Sequence, residues 1–372
     1  MKILILSCGT GGGHNSAAFA VQETLHARGV QTELFDPIQL KSEKAKNLVS
    51  DTYKNIIKNT PTIFGVIYQA GAIYETTPLP SPVYFANSMY AKELNDYIVE
   101  NEFDGVICAH LYCMEAMTAV RKKFQNYIPC YGILTDYTCI PFTGETQLDG
   151  YFIGHRDMKR QAVQKGLPKE KLYPLGIPVH PKFNERLSKE QARQKLNLPQ
   201  DKKIILLLFG SVGCGKISKL CAQLLKKTDE DCLVYVIIGE NQALQQKLDK
   251  KFSGDRVITV GYTRDVNVYM NAADVLISKA GGLSSTESAV ANVPLVHLKS
   301  IPGCETKNAT FFSKHNMSLA TRKTAEAADF AKTLIYDQVK AEEMLQAQRT
   351  VINANAANDI VDTVMHAIAR NE

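Results

Sequence analysis

The chain has no tryptophan in 372 residues and no run of 18 apolar residues. The second absence excludes a membrane-spanning helix, which needs about 20. Ordered cysteine spacing is missing too. The nine cysteines are odd in number and scattered, with no Cys-x-x-Cys and no Cys/His pairing at zinc spacing, which argues against a disulfide framework and a structural zinc site. Most stand in apolar runs and are expected to be buried small hydrophobes in a reducing cytoplasm. An excess of one charge sign is nearly absent: 43 Lys and Arg face 38 Asp and Glu, a formal charge of +5 with no dense basic stripe. Nucleic acid is therefore not an expected partner. Residues 1–177 hold 17 bases and 17 acids, so the whole surplus lies in 178–372. A site for an anionic small molecule in the second half fits that surplus, and so does chance. Ile5-Leu6-Ser7-Cys8 has the outline of a lipoprotein cleavage box, but the apolar stretch before it falls short of the roughly 7–15 residues a signal needs.

What is present is an ordinary globular composition, 45% hydrophobic and 22% charged, long enough for two domains. Short β-branched or Leu-rich runs alternate with longer amphipathic ones, the pattern of βαβ units and parallel sheets. The strand-like runs are Lys2–Ser7, Gln31–Phe35, Gly105–Ala109, Ile128–Leu134 and Tyr151–Gly154, then Lys203–Phe209, Cys232–Ile238, Val257–Val260, Val275–Ser278 and Pro294–His297. Helical stretches fall between them, among them His14–Arg28, Asn241–Lys251 and Thr324–Tyr336. The polar stretch Pro181–Asp201 separates the two series. The reading is an α/β chain of two Rossmann-like domains whose strand carboxyl ends line an interdomain cleft, as suits an enzyme with two substrates. Pro61–Tyr90 breaks the pattern, with six aromatics, four prolines and one charge. It is either a helix and loop packed on the core or a surface that meets lipid or an apolar acceptor.

Four strand-to-helix turns carry candidate chemistry. In Gly9-Thr10-Gly11-Gly12-Gly13-His14 the glycines Gly11, Gly12 and Gly13 allow close approach to backbone N–H groups at a helix start. His14, with an ordinary pKa near neutrality, is a candidate general base there, or else a capping residue. In Gly210–Lys216 a P-loop outline fails at Ile217, where a magnesium-binding hydroxyl should stand. Gly210 and Ser211 therefore read as a turn on a nucleotide-sugar diphosphate or a sugar. In Lys279–Glu287 the glycines Gly281 and Gly282 make the turn. N–H donors and the Ser284 or Ser285 hydroxyl then surround a diphosphate, with Glu287 on a ribose. The same letters also read as a capping box. Ile301–Asn308 is, on its own, only a loop and an N-cap.

Taken together these residues resemble a known family. Gly11–His14, Leu134-Thr135-Asp136, Gly176-Ile177-Pro178-Val179, Gly239-Glu240-Asn241, Gly261-Tyr262, Lys279–Glu287 and Pro302–Asn308 occur in order and at suitable spacing. The set resembles the monogalactosyldiacylglycerol synthases of plants and the processive diacylglycerol glucosyltransferases of Gram-positive bacteria, in glycosyltransferase family 28. The resemblance covers nearly the whole chain, from Lys2 to about Asn316.

The resemblance implies a GT-B fold with an N-terminal lipid-acceptor domain over 1–180 and a UDP-sugar donor domain over 181–355. A C-terminal helix over 356–372 would return to the first domain. It implies an inverting hexosyltransferase that uses UDP-glucose or UDP-galactose and acts on diacylglycerol or a glycosyldiacylglycerol. The expected location is cytoplasmic, peripheral at the inner face of the membrane, with contact through about 61–90. UDP-sugar is a co-substrate and no metal or other cofactor is expected, in keeping with the lack of an acidic pair in a site-like loop. His14 matches the base. Donor contacts fall on Gly210, Ser211, Asn241, Tyr262, Lys279, Gly281, Gly282, Ser284, Ser285, Glu287, Pro302, Gly303, Glu305 and Asn308. Plant members carry an acid five residues before the histidine, where Gly9 stands here, so Asp136 is the expected orienting partner of His14. His180 replaces the family's Arg after Val179. The alternatives are a UDP-sugar epimerase or hydrolase on the same fold, or a non-catalytic UDP-sugar sensor.

Overall fold

A computed structural model describes residues 1–9, 12–41, 70–71, 73–75, 77, 79–209, 217–254, 256–298 and 303–370. It divides into two compact units, Met1–Pro181 with Asn353–Glu372, and Lys182–Ile352.

The first unit runs β1 (Lys2–Leu6), α1 (Gly12–His26), β2 (Gln31–Phe35), α2 (Pro82–Ser88), α3 (Ala91–Glu100), β3 (Gly105–Cys108), α4 (Leu111–Phe124), β4 (Cys130–Ile133), β5 (Gly150–Phe152), α5 (Lys159–Gln164) and β6 (Leu172–Tyr173). Its six strands are parallel in the order β2-β1-β3-β4-β5-β6. Ile3, Leu4, Ile5 and Leu6 of β1 are all fully buried, as expected where both faces of a parallel sheet are covered. One face packs Leu4 and Leu6 against Met117 and Val120 of α4. The other packs Ile3 and Ile5 against Val21 and Leu25 of α1 and against Ile360, Val361, Val364 and Ile368 of the last helix, Ala356–Ala369. That helix fits closely: a Cβ at Gly105 would lie 2.6 Å from Ile368. Asn353 donates to the Leu175 carbonyl at 2.7 Å, and Arg28 pairs with Asp362.

The second unit follows with α6 (Lys189–Lys195), β7 (Lys203–Leu208), α7 (Ile217–Lys227), β8 (Cys232–Gly239), α8 (Gln242–Lys251), β9 (Val257–Gly261), α9 (Val266–Ala272), β10 (Val275–Ser278), α10 (Gly282–Val290), β11 (Leu295–Leu298), α11 (Cys304–Lys314), β12 (Leu319–Thr321), α12 (Thr324–Tyr336) and α13 (Gln338–Val351). The strands are again parallel, in the order β12-β11-β10-β7-β8-β9. Asp274, just before β10, accepts from Arg193 at 2.8 Å, Lys189 at 2.6 Å and the Ile204 amide at 2.7 Å. One carboxylate thus ties α6, β7 and β10 together.

Both units are α/β and doubly wound. The strand order reverses between β1 and β3 in the first and between β7 and β10 in the second. Open parallel sheets bind ligands beyond the strand carboxyl ends at these switch points. Seven described cysteines (8, 108, 113, 130, 139, 221 and 232) are buried, and Cys304 is half-buried. The edge strands β6 and β12 were not among the sequence-predicted runs.

Candidate functional site

In the first unit, β1 ends in the glycine turn that opens α1. Gly12 and Gly13 are exposed, and a Cβ on Gly12 would touch nothing, so the first amides of α1 stay approachable. Gly11 lies outside the described residues. The Gly9 amide donates to Asp36 at 3.3 Å, and Ser7 donates to Asn15 at 2.6 Å.

His14 stands beside the end of β3. Its Nδ1 lies 3.0 Å from the Ala109 carbonyl oxygen and 2.9 Å from the Thr135 hydroxyl. A carbonyl only accepts, so Nδ1 carries the hydrogen and Nε2 keeps the lone pair. Burial lowers the His14 pKa from 6.5, with the Asp136 charge and the Ala109 hydrogen bond opposing it. The imidazole is therefore neutral at pH 7 with Nε2 as its basic atom. Asp136, expected to orient His14, bears on it by charge, and Thr135, on the turn after β4, also reaches its Nδ1.

Sequence reasoning missed His110. It caps α4 by accepting from the Tyr112 amide at 3.1 Å, and its ring meets His14 edge-on at 4.4 Å. Burial holds its pKa well below 6.5, with the His14 charge acting in the same direction. Only its place, directly after a strand, signalled it. The two histidines, Met114, Thr135, Asp136 and Thr143 line a pocket of about 20 Å³, room for one hydroxyl-sized group.

In the second unit, β10 ends at Ser278 and Gly281 caps α10. A Cβ at Gly281 would lie 2.9 Å from Lys279 Nζ and 3.1 Å from Ser284 Oγ, so a side chain here would push the lysine head aside. Lys279 donates to Glu305, at the start of α11, at 2.8 Å. Gly303 before it has φ 105°, the left-handed region that suits glycine. Ser284 is half-buried at the mouth of α10. Ser285 is not: it is fully buried, with Oγ 2.9 Å from His297 Nε2, and His297 Nδ1 lies 3.0 Å from Ser318. Successive helical residues point about 100° apart, so only one of the two serines faces outward. Glu287 is half-buried, and burial raises its pKa to about 7 against the pull of Lys182.

Three further donor candidates have partners or positions of their own in the second unit. Asn241 is the N-cap of α8, accepting from the Leu244 amide at 3.0 Å. Asn308 is fully buried, and its amide donates to the Ala280 carbonyl at 3.1 Å, bracing the loop. Tyr262 is 69% exposed at the end of β9. Gly210, Ser211 and Pro302 lie outside the described residues.

Residues 61–90 are described only in part. Within them Tyr90 is buried in the core, whereas Ile73, Leu79 and Phe85 are exposed, as is Met89 at the end of α2. Lys122 lies over the Tyr84 ring at 5.1 Å and Lys123 donates to the Ser88 carbonyl at 3.0 Å. Among the described residues no helix is long and apolar enough to cross a membrane.

Comparison with known proteins follows the two units. Residues 14–179 match the family model of monogalactosyldiacylglycerol (MGDG) synthase. Residues 204–364 match the glycosyltransferase family 28 C-terminal domain. A processive diacylglycerol beta-glucosyltransferase of Bacillus thuringiensis is 25% identical over 374 residues, covering 98% of this chain and 93% of that protein. The crystal structure of MurG from Acinetobacter baumannii aligns over 98% of this chain and 99% of its own, with a TM-score of 0.65 and 16% identity. An S. aureus MnaA–UDP co-structure aligns over 99% and 97%, with a TM-score of 0.64 and 14% identity. Both likenesses are of fold, two Rossmann-like domains of the GT-B class.

Proposed function

The chain belongs to the monogalactosyldiacylglycerol synthase family and is a glycosyltransferase with a family 28 C-terminal domain, and we propose that it moves a hexose from a UDP-sugar to the free hydroxyl of diacylglycerol or a glycosyldiacylglycerol, with inversion at C1. The observation that carries the mechanism is the fixed tautomer of His14. With Nδ1–H held by Ala109 and Thr135, Nε2 is free to take the acceptor's proton. The acceptor oxygen attacks C1 from the face opposite the diphosphate, and the C1–O bond electrons leave with UDP. Nε2 and the acceptor hydroxyl thus do in one step what water does poorly, a contribution of about 10²–10⁴-fold.

The donor side needs an anion cradle. The N-terminus of α10, Gly281, Gly282, the Ser284 hydroxyl and Lys279 supply donors and positive potential for the diphosphate, and the ribose falls to Glu287. Lys279 is parked on Glu305. Entry of the diphosphate draws Lys279 toward phosphate and frees Glu305 for a sugar hydroxyl. This assigns the leaving-group charge to protein donors, with no metal required.

The exposed Ile73, Leu79, Phe85 and Met89, flanked by Lys122 and Lys123, support a peripheral seat on the cytoplasmic face of the membrane, apolar side chains inward and bases toward anionic headgroups. The test is incubation with radiolabelled UDP-glucose and UDP-galactose and dispersed diacylglycerol. Label in the organic phase is expected; none with any common UDP-sugar refutes the proposal.

A further inference from the structure

The turn that follows β4 also holds both ends of the segment leading into α2. Glu75 accepts from the Phe142 amide at 3.0 Å and pairs with Lys165. Ser81, which is 1% exposed, donates its amide to Glu145 Oε2 at 2.9 Å and its hydroxyl to Glu145 Oε1. The same hydroxyl caps α2 by accepting from the Tyr84 amide at 3.0 Å. Phe142 itself has φ 69°, a left-handed conformation that persists only where surroundings enforce it. At its other end this turn begins with Thr135 and Asp136 beside His14, and Thr138, Ile140 and Thr143 share the His14 pocket.

Beneath the turn lies a carboxyl the mechanism does not use. Glu115 of α4 is completely buried, and neither oxygen has a hydrogen-bond donor. Its neighbour is Glu145, with Lys122 and Tyr84 also facing the pair. Two carboxylates offer each other only lone pairs, so the contact closes only with a proton between them. Both oxygens of Glu145 already accept from Ser81, and burial disfavours a charge on Glu115. The direction agrees: burial first, then the bond to Glu145 and its charge, raise Glu115 to about 10.

We propose that Glu145 and the buried Glu115 form a clamp that positions α2, and with it the lipid-side surface, on the turn that carries Thr135. Glu115 and Glu145 are positioning residues: they touch neither substrate, and they set where the acceptor enters relative to His14. This rests on the lipid-acceptor reading of residues 61–90.

The test compares hydrogen exchange of residues 82–88 in the substrate-free protein with separate donor and acceptor KM values. Glu115→Gln keeps a neutral donor and is expected to leave exchange and both KM values within about twofold of wild type. Glu145→Ala removes the acceptor, and is expected to speed exchange over 82–88 by about tenfold and raise acceptor KM by about tenfold, with donor KM and kcat within about twofold. Should that variant not fold, Ser81→Ala removes one donor and is expected to speed exchange about threefold. Unchanged exchange in Glu145→Ala or Ser81→Ala, loosening in Glu115→Gln equal to that in Glu145→Ala, or donor and acceptor KM rising together would each overturn the clamp. Exchange needs no substrate. A wild-type chain that transfers no sugar therefore fails the glycosyltransferase proposal, while the exchange results alone still uphold or overturn the clamp.

Discussion

His14 is oriented by the backbone of Ala109: its Nδ1 sits 3.0 Å from the Ala109 carbonyl oxygen, at the end of the neighbouring strand. A carbonyl cannot be titrated or mutated away, so the base keeps one tautomer whatever the charge state around it. The Thr135 hydroxyl shares the same hydrogen.

The first prediction concerns pH. The proposed base, His14, would work unprotonated, and burial lowers its pKa, so the acid limb of kcat/KM should fall below 6.5. Asp136 raises that pKa, so Asp136→Asn should move the limb to still lower pH and slow the reaction through a weaker base. A limb that moves upward in Asp136→Asn contradicts the assignment.

Ser284 and Ser285 should separate cleanly. Ser284→Ala should raise donor KM by about 3- to 10-fold with the fold intact. Ser285→Ala removes the buried partner of His297 and should cost about 1–3 kcal/mol of stability, read by thermal or denaturant unfolding. Equal effects on donor KM from both would mean that α10 is turned differently.

Glu287 titrates near neutrality, at about 7. On the proposed ribose contact the carboxylate would accept both hydroxyls and the protonated form fewer, so UDP affinity should weaken as pH falls from 8 to 6 by about tenfold. In Glu287→Gln calorimetry should show that dependence flattened.

Away from the site, Asp274→Ala should destabilise the second unit by about 3–5 kcal/mol, because it strands the buried Arg193. Residual folded protein should keep its donor KM.

The sheets were legible because parallel strands covered on both faces spell continuous apolar runs: Val275–Ser278, buried throughout, falls where the sequence places it. β6 and β12, two and three residues at sheet edges, are too short to leave a period. Within the candidate site, turn chemistry alone picks out His14, Lys279 and Gly281 as candidates. Which of two adjacent serines faces outward depends on helix rotation against His297, so the letters alone leave Ser284 and Ser285 equivalent. The Ala109 carbonyl has no side-chain letter to announce it, and Thr135 and His110 reach His14 only through the β1-β3-β4 order of the sheet. Such contacts are tertiary and leave no local pattern.

The most direct measurement is lipid-product formation by wild type and His14→Ala, with UDP affinity determined on the same preparations. Transfer of label to the organic phase by wild type, a loss of about 10²–10⁴-fold in His14→Ala and UDP affinity unchanged within about twofold are the predicted result. Unchanged transfer in His14→Ala would contradict it.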